Sequence, residues 1–119
     1  MEIIIEEISR GHKLLHRHNI DKGTIKIGRD YHNDIILTDP HICPKHIELQ
    51  CEEGIWRITD KATINGSFIE NPNTKKHNAD NHIIQDGDII SVGKSLLRVV
   101  FRNHQVVPTV PFSRSEERR

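Results

Sequence analysis

Short stretches in which apolar and polar residues alternate recur along most of this chain. Clear examples lie at residues 24–27, 47–51 and 97–101, and isoleucine is the most frequent apolar residue. A period of two is typical of strands that bury one face, and β-branched side chains fit the pleated surface of a sheet. The pattern therefore predicts several short, half-buried β-strands.

Turn-forming residues separate these stretches at intervals of about ten residues, for example at 21–23, 86–88 and 93–95. Strands at this spacing, with no helical pattern between them, predict an all-β sandwich or barrel. Residues 2–16 could also line a helix face, but the isoleucine run and Gly11 favour strands. The polar segment 71–82 is interpreted as a surface loop.

Length and composition predict one folded domain followed by a tail. The 119 residues fit a single domain of ordinary size, which we assign to residues 1–103. Residues 104–119 are rich in proline, serine and charge, which predicts a polar, disordered tail or linker. The domain is expected either to be free or to belong to a longer chain or a membrane-associated complex.

Charge, cysteine usage and the absence of long apolar runs limit the partners and the compartment. Lys plus Arg equals Asp plus Glu at 17 each, but residues 1–97 carry 12 basic and 15 acidic groups, and a slightly negative domain is a poor nucleic-acid binder. No apolar run approaches the ~18 residues of a membrane span, and the acidic N-terminus does not resemble a signal peptide. Cys43 and Cys51 do not form a disulfide framework. We therefore predict a cytoplasmic protein, or a cytoplasmic domain of a larger protein, without nucleic-acid or direct membrane contact.

Four short motifs follow one another in a fixed order. They are Gly28-Arg29 with Asn33-Asp34-Ile35, then Cys43-Pro44-Lys45-His46, then Thr63-Ile64-Asn65-Gly66-Ser67, and finally Gly87-Asp88-Ile89-Ile90-Ser91-Val92-Gly93. Over residues 3–102 this order and spacing resemble the forkhead-associated (FHA) domain, although any one motif alone carries little information. The resemblance implies a β-sandwich of about eleven strands with binding loops at one end. It also implies recognition of phosphothreonine in a partner protein, with no enzymatic activity, no cofactor and no metal.

The resemblance assigns roles to individual residues. Arg29 presents a planar fork of donors that matches a phosphate, and FHA domains are among the modules that use arginine in this way. Asn65 is expected to hold the backbone of the bound peptide, and His46 to brace the binding loops through hydrogen bonds. The implied peptide-binding residues are Arg29, Cys43, Lys45, Thr63, Ile64 and Asn65, and the implied supporting residues are Gly28, His46 and Gly66.

Two residues depart from the family pattern within the phosphate-binding loop. Cys43 replaces a serine whose hydroxyl bonds the phosphate, and a thiol is a weaker donor. Pro44 replaces a residue that is often Arg, Lys or Asn, and proline also lacks a backbone N–H. These departures keep a second hypothesis open, in which an FHA-like scaffold binds its protein partner independently of phosphate.

Two further chemistries can be weighed against a binding module. His41, Cys43 and His46 are metal-ligand types, but zinc usually requires four ligands and no cysteine pair has finger spacing. A catalytic thiol at Cys43 would need a base and an orienting group. We therefore predict neither a metal site nor an enzyme.

Overall fold

The computed structural model describes residues 2–61 and 66–101, and all of its regular structure there is β. This confirms the all-β prediction. The strands of the described residues are β1 Glu2–Ile8, β2 Leu14–Asp21, β3 Thr24–Gly28, β4 Ile35–Ile36, β5 Ile47–Glu52, β6 Ile55–Asp60, β7 Ser67–Asn71, β8 Thr74–Asn78, β9 Ile89–Val92 and β10 Ser95–Phe101.

These strands form two sheets. One has the order β2-β1-β10-β9-β7-β8 and the other the order β4-β3-β5-β6. Every second side chain of these strands faces a core shared by the two sheets, as the alternation in the sequence predicts. The core contains Ile3 and Ile5 of β1, Ile25 and Ile27 of β3, and Trp56 of β6. Each of these side chains is at most 1% exposed.

The N-terminal segment is a β-hairpin, as its isoleucine run predicts, and not a helix. β1 pairs with β2 on one side and with β10 on the other, so it lies inside the larger sheet. Its central Glu6 lies opposite Arg17 and Arg98 in the ladders, and both arginines form ion pairs with it, at 3.0 and 2.9 Å. The Glu6 carboxylate is buried on the outer face of this sheet, and the two arginines compensate its charge.

The interpretation of residues 71–82 as a loop is wrong. Strand β8 lies within this segment and pairs antiparallel with β7. Asn71 makes the connecting turn by accepting a hydrogen bond from the backbone N–H of Asn73 at 2.8 Å. β8 is an edge strand, and polar composition is common on edges because only one side of the strand is paired.

The described residues contain ten strands, whereas the resemblance implies about eleven. Ile83 makes a single bridge to Arg57 in place of a ladder, so the segment before β9 follows β6 without becoming a strand. The topology brings four connections to one end of the sandwich, after β3, before β5, after β6 and between β9 and β10. These connections carry most of the residues that the motifs single out.

Candidate binding site at the loop end of the sandwich

Arg29 follows β3 directly and is exposed at the loop end. Its backbone N–H donates to the carbonyl of Cys43 at 3.1 Å, and its Nε donates to the carbonyl of Ile42 at 2.9 Å. The Nε bond fixes the plane of the guanidinium. The two terminal nitrogens make no hydrogen bond or ion pair to the residues that the structure describes, so they remain available to an anion.

The Pro44 carbonyl joins the Arg29 loop to the Cys43 loop. It accepts from the backbone N–H of Asp30 at 3.2 Å and from Asn33 Nδ2 at 2.7 Å. Asn33 Nδ2 also donates to the Asp30 carbonyl at 2.7 Å. The contact requires a glycine at position 28, because a Cβ there would lie 2.3 Å from the Pro44 oxygen. The backbones of the two loops are therefore held in direct contact.

His46 connects the Cys43 loop to the loop before β7. The side chain is fully buried. Its Nδ1 accepts from the backbone N–H of Cys43 at 3.0 Å, and because that N–H can only donate, the ring proton is on Nε2. Nε2 donates in turn to the Gly66 carbonyl at 2.7 Å. Both ring nitrogens are thus used between two loops, the geometry that a bracing residue requires.

The loop before β7 is fixed at its C-terminal end. Gly66 has φ +66°, in the left-handed region that glycine tolerates. Ser67 is fully buried, and its hydroxyl donates to Asp60 Oδ2 at 2.8 Å across the base of the loop. The predicted binding residues Thr63, Ile64 and Asn65 lie outside the described residues.

Cys43 is half-buried and Lys45 is exposed, both on the loop that contacts Arg29. The pKa of Asp30 lies below its ordinary value, mainly because the backbone N–H of His32 donates to its carboxylate at 3.0 Å. The His32 ring and the Lys45 ammonium add to the effect. The charge of Lys45 is therefore felt at the residue next to Arg29.

A further carboxylate, Asp39, ties this loop to the β9–β10 turn. Asp39 accepts from the backbone N–H groups of His41 at 2.9 Å and of Lys94 at 2.6 Å. These two bonds, with the His41 ring, lower the pKa of Asp39 to about 2. Gly93 has φ +58°, and a Cβ there would lie 2.7 Å from Ile42 Cγ1.

Sequence reasoning gave no role to Asn33 or Asp39. Asn33 lies in the first motif, but its amide can bond many kinds of group. The Asp-Pro-His order at 39–41 is an ordinary turn signal, since an aspartate side chain readily bonds the N–H two residues on. Neither pattern indicates which distant loop the side chain holds.

The same geometry bears on the metal and thiol hypotheses. His41 Nδ1 faces Asp39 at 3.0 Å, whereas both nitrogens of His46 are engaged by backbone groups. His46 thus has no nitrogen left to activate the Cys43 thiol. Among residues 2–61 and 66–101, no group of three or more His, Cys, Asp or Glu side chains is arranged to hold a metal ion.

The chain is similar to known proteins in both sequence and fold. An oxoglutarate dehydrogenase inhibitor of Corynebacterium glutamicum is 32% identical over 94 residues, which make up 79% of this chain and 61% of that protein. The solution structure of the FHA domain of an Arabidopsis thaliana hypothetical protein matches with a TM-score of 0.68 at 23% identity, covering 92% of this chain and 91% of that one. A structure from work on phosphothreonine-dependent FHA domain interactions matches with a TM-score of 0.67 at 19% identity, covering 86% of this chain and 98% of that one.

The chain spans about three fifths of the length of the Corynebacterium protein. Within the described part of the chain, no helix has the length and apolar character needed to cross a membrane.

A family model described as "Inner membrane component of T3SS, cytoplasmic domain" matches residues 7–103. The chain therefore belongs to this family and is a forkhead-associated domain.

Proposed function

We propose that this domain binds a phosphothreonine-containing segment of a partner protein and acts as a non-catalytic adaptor in the cytoplasm. Arg29, Cys43 and Lys45 hold the phosphate, and Thr63, Ile64 and Asn65 hold the adjoining peptide. Residues 1–103 form the binding domain, and residues 104–119 form a tail or linker. The observation that carries this proposal is the Arg29 guanidinium, which is exposed and fixed through Nε at a junction of two loops.

The chemistry of the loop end suits a phosphate. A phosphothreonine carries a charge of about −1.5 to −2 near neutral pH and three strong acceptor oxygens. The two terminal nitrogens of Arg29 can donate to two of these oxygens at once, and Lys45 adds a second positive charge. Because hydrogen bonds already hold the Arg29 and Cys43 loops together, little backbone ordering of these two loops opposes binding.

The relatives support binding over catalysis. One is named as an inhibitor of oxoglutarate dehydrogenase, and one structure comes from work on phosphothreonine-dependent interactions. Both are regulatory or recognition roles, which we extend to this chain as part of the proposal.

One observation favours a second candidate, a scaffold that binds its partner without phosphate. The backbone N–H of Cys43 is already donated to His46, and Pro44 has no N–H. Neither residue can offer a backbone N–H to a phosphate, so their contribution to phosphate binding rests on their side chains. If those side chains contribute little, a partner would be held by other surfaces.

The test compares Arg29→Ala with Arg57→Ala. The side chain of each arginine is exposed and donates to one backbone carbonyl, that of Ile42 for Arg29 and that of Asn81, at 3.2 Å, for Arg57. Arg57 differs in that it lies within strand β6. Peptide libraries containing phosphothreonine, phosphoserine or unmodified threonine are titrated by fluorescence anisotropy. We expect Arg29→Ala to weaken phosphothreonine binding by about 2–4 kcal/mol, or roughly 30- to 1000-fold, and Arg57→Ala to leave it unchanged.

Phosphoserine peptides should bind about fourfold more weakly than phosphothreonine peptides, since one buried methyl contributes roughly 0.8 kcal/mol. Equal binding of phosphorylated and unmodified peptides, or unchanged affinity in a folded Arg29→Ala variant, would favour the phosphate-independent scaffold.

A further inference from the structure

Outside the binding loops, a chain of polar side chains runs from a buried carboxylate to the edge strand β8. Asp88 is fully buried and accepts from Asn71 Nδ2 at 2.7 Å and from the backbone N–H of Gln85 at 2.8 Å. Its third partner is His82 Nε2 at 2.8 Å. Beyond His82 lies His77, whose Nε2 is 3.3 Å from His82 Nδ1.

The two histidines lie where the two sheets meet. His77 is the ladder partner of the buried Ile69, so its side chain is on the inner face of the larger sheet. The His82 carbonyl accepts from the Ile58 N–H at 3.0 Å, which attaches its segment to β6 of the smaller sheet. The histidine pair therefore connects elements of both sheets.

The outer partners fix which nitrogen of each neutral ring carries the proton. His77 Nδ1 lies 3.0 Å from the Lys75 carbonyl, an obligate acceptor, so Nδ1 is protonated and Nε2 holds a lone pair. His82 Nε2 faces the carboxylate of Asp88, so Nε2 is protonated and Nδ1 holds a lone pair. In neutral rings, the two lone pairs would face each other across 3.3 Å.

Two facing lone pairs need a cation between them. A shared proton would make an N–H···N bond, and 3.3 Å is long for such a bond, since N–H···O bonds usually measure about 2.7–3.2 Å. Two nitrogens bound to one tetrahedral zinc ion at about 2.0–2.1 Å stand about 3.3 Å apart. The observed separation matches the zinc geometry.

We propose that His77 Nε2 and His82 Nδ1 form a binding site for a divalent transition-metal ion of the zinc class, whose other positions are filled by water. Histidine ligands typically donate their second ring N–H to a carboxylate or a backbone carbonyl, as both rings do here. His77 is half-buried and the His82 side chain is 17% exposed, so water can reach the ion. Lys76 does not oppose it, because its ammonium lies 5.3 Å from the centre of the exposed Phe68 ring, and neighbouring strand residues face opposite sides.

A site with two protein ligands agrees with the finding that no group of three or more ligand side chains is arranged for a metal among the described residues. An ion bound at this site cross-links β8 to the His82 segment, which is hydrogen-bonded to β6.

The test is thermal unfolding of the full chain with and without ZnCl₂, after removal of metals with a chelator. We expect Tm to rise by about 5 °C or more once free zinc exceeds Kd tenfold. His82→Gln and His77→Ala should abolish the rise. A matched control is His16→Ala, which should keep the rise. His16 and His18 also form a close ring pair on strand β2, with 4.4 Å between the ring centroids.

The proposal is overturned if zinc leaves Tm unchanged, or if His16→Ala removes the zinc effect while His82→Gln retains it. Should either site variant fail to fold, ¹⁵N-imidazole NMR of the wild type decides. Zinc should shift His77 Nε2 and His82 Nδ1 and leave their other nitrogens protonated. Unchanged signals at excess zinc would mean that the pair does not bind the ion.

Discussion

Gly28→Ala is the substitution whose effect follows most directly from the structure. The added Cβ would lie 2.3 Å from the Pro44 oxygen and 2.9 Å from its carbonyl carbon. Both are backbone atoms, so no side-chain rotation relieves the overlap. Ordinary contact begins near 3.4 Å, so the loops must separate by about 1 Å.

That movement breaks three hydrogen bonds between the loops. They run from Asp30 N–H and Asn33 Nδ2 to Pro44, and from Arg29 N–H to Cys43. At about 0.5–1.5 kcal/mol each, the loss is about 1.5–4.5 kcal/mol, centred near 3 kcal/mol. Alanine also restricts the backbone of the unfolded chain, and this effect offsets about 0.4–1 kcal/mol of the lost stability. We expect a net loss of about 2–3 kcal/mol, or a fall in Tm of about 10–20 °C.

The matched control is Gly23→Ala, at the other end of the same strand. A Cβ at Gly23 has no atom within 4 Å, so this variant should be as stable as the wild type or slightly more stable. Urea unfolding measures both variants, and fluorescence anisotropy should give at least a tenfold weaker phosphopeptide affinity for Gly28→Ala, because Arg29 loses its support. Stability within about 0.5 kcal/mol of the wild type for Gly28→Ala would refute the close-contact reasoning.

Two further substitutions test the site. Cys43→Ser should tighten phosphothreonine binding about fivefold at unchanged Tm, because a hydroxyl is the better donor; a lower Tm with no gain in affinity would mean that the thiol serves packing. Asp39→Asn should flatten the dependence of stability on acid pH. The Asp39 pKa of about 2 lies below the ordinary 3.8, so the ionised carboxylate stabilises the fold above about pH 4, and this contribution is lost as the pH falls through 2. Unfolding free energies from pH 5 to 2 measure this, and the same slope in both proteins would contradict the assignment.

Residues 2–16 and residues 71–82 show where sequence reasoning succeeds and where it fails. Residues 2–16 had both helical and strand periodicity, and the isoleucine run together with Gly11 gave the right answer because β-branched residues favour strands. Residues 71–82 are almost entirely polar, so hydrophobic periodicity could not reveal β8. That strand forms because β7 offers it a free edge, and the edge exists only in the assembled sheet.

The sequence by itself determined the all-β class, because a period of two and regular turns leave few other solutions. It also identified Gly28, Arg29 and His46 through the order of motifs. Only the tertiary structure decided how Gly28 and His46 act: Gly28 admits the Pro44 carbonyl, and His46 uses both nitrogens between two loops. It also revealed Asp39, which the sequence had not singled out and which reaches Lys94. The reason is physical. Periodicity reports which face of a strand is buried, whereas these contacts join residues far apart in the chain, and their partners are set by how the loops pack at one end of the sandwich.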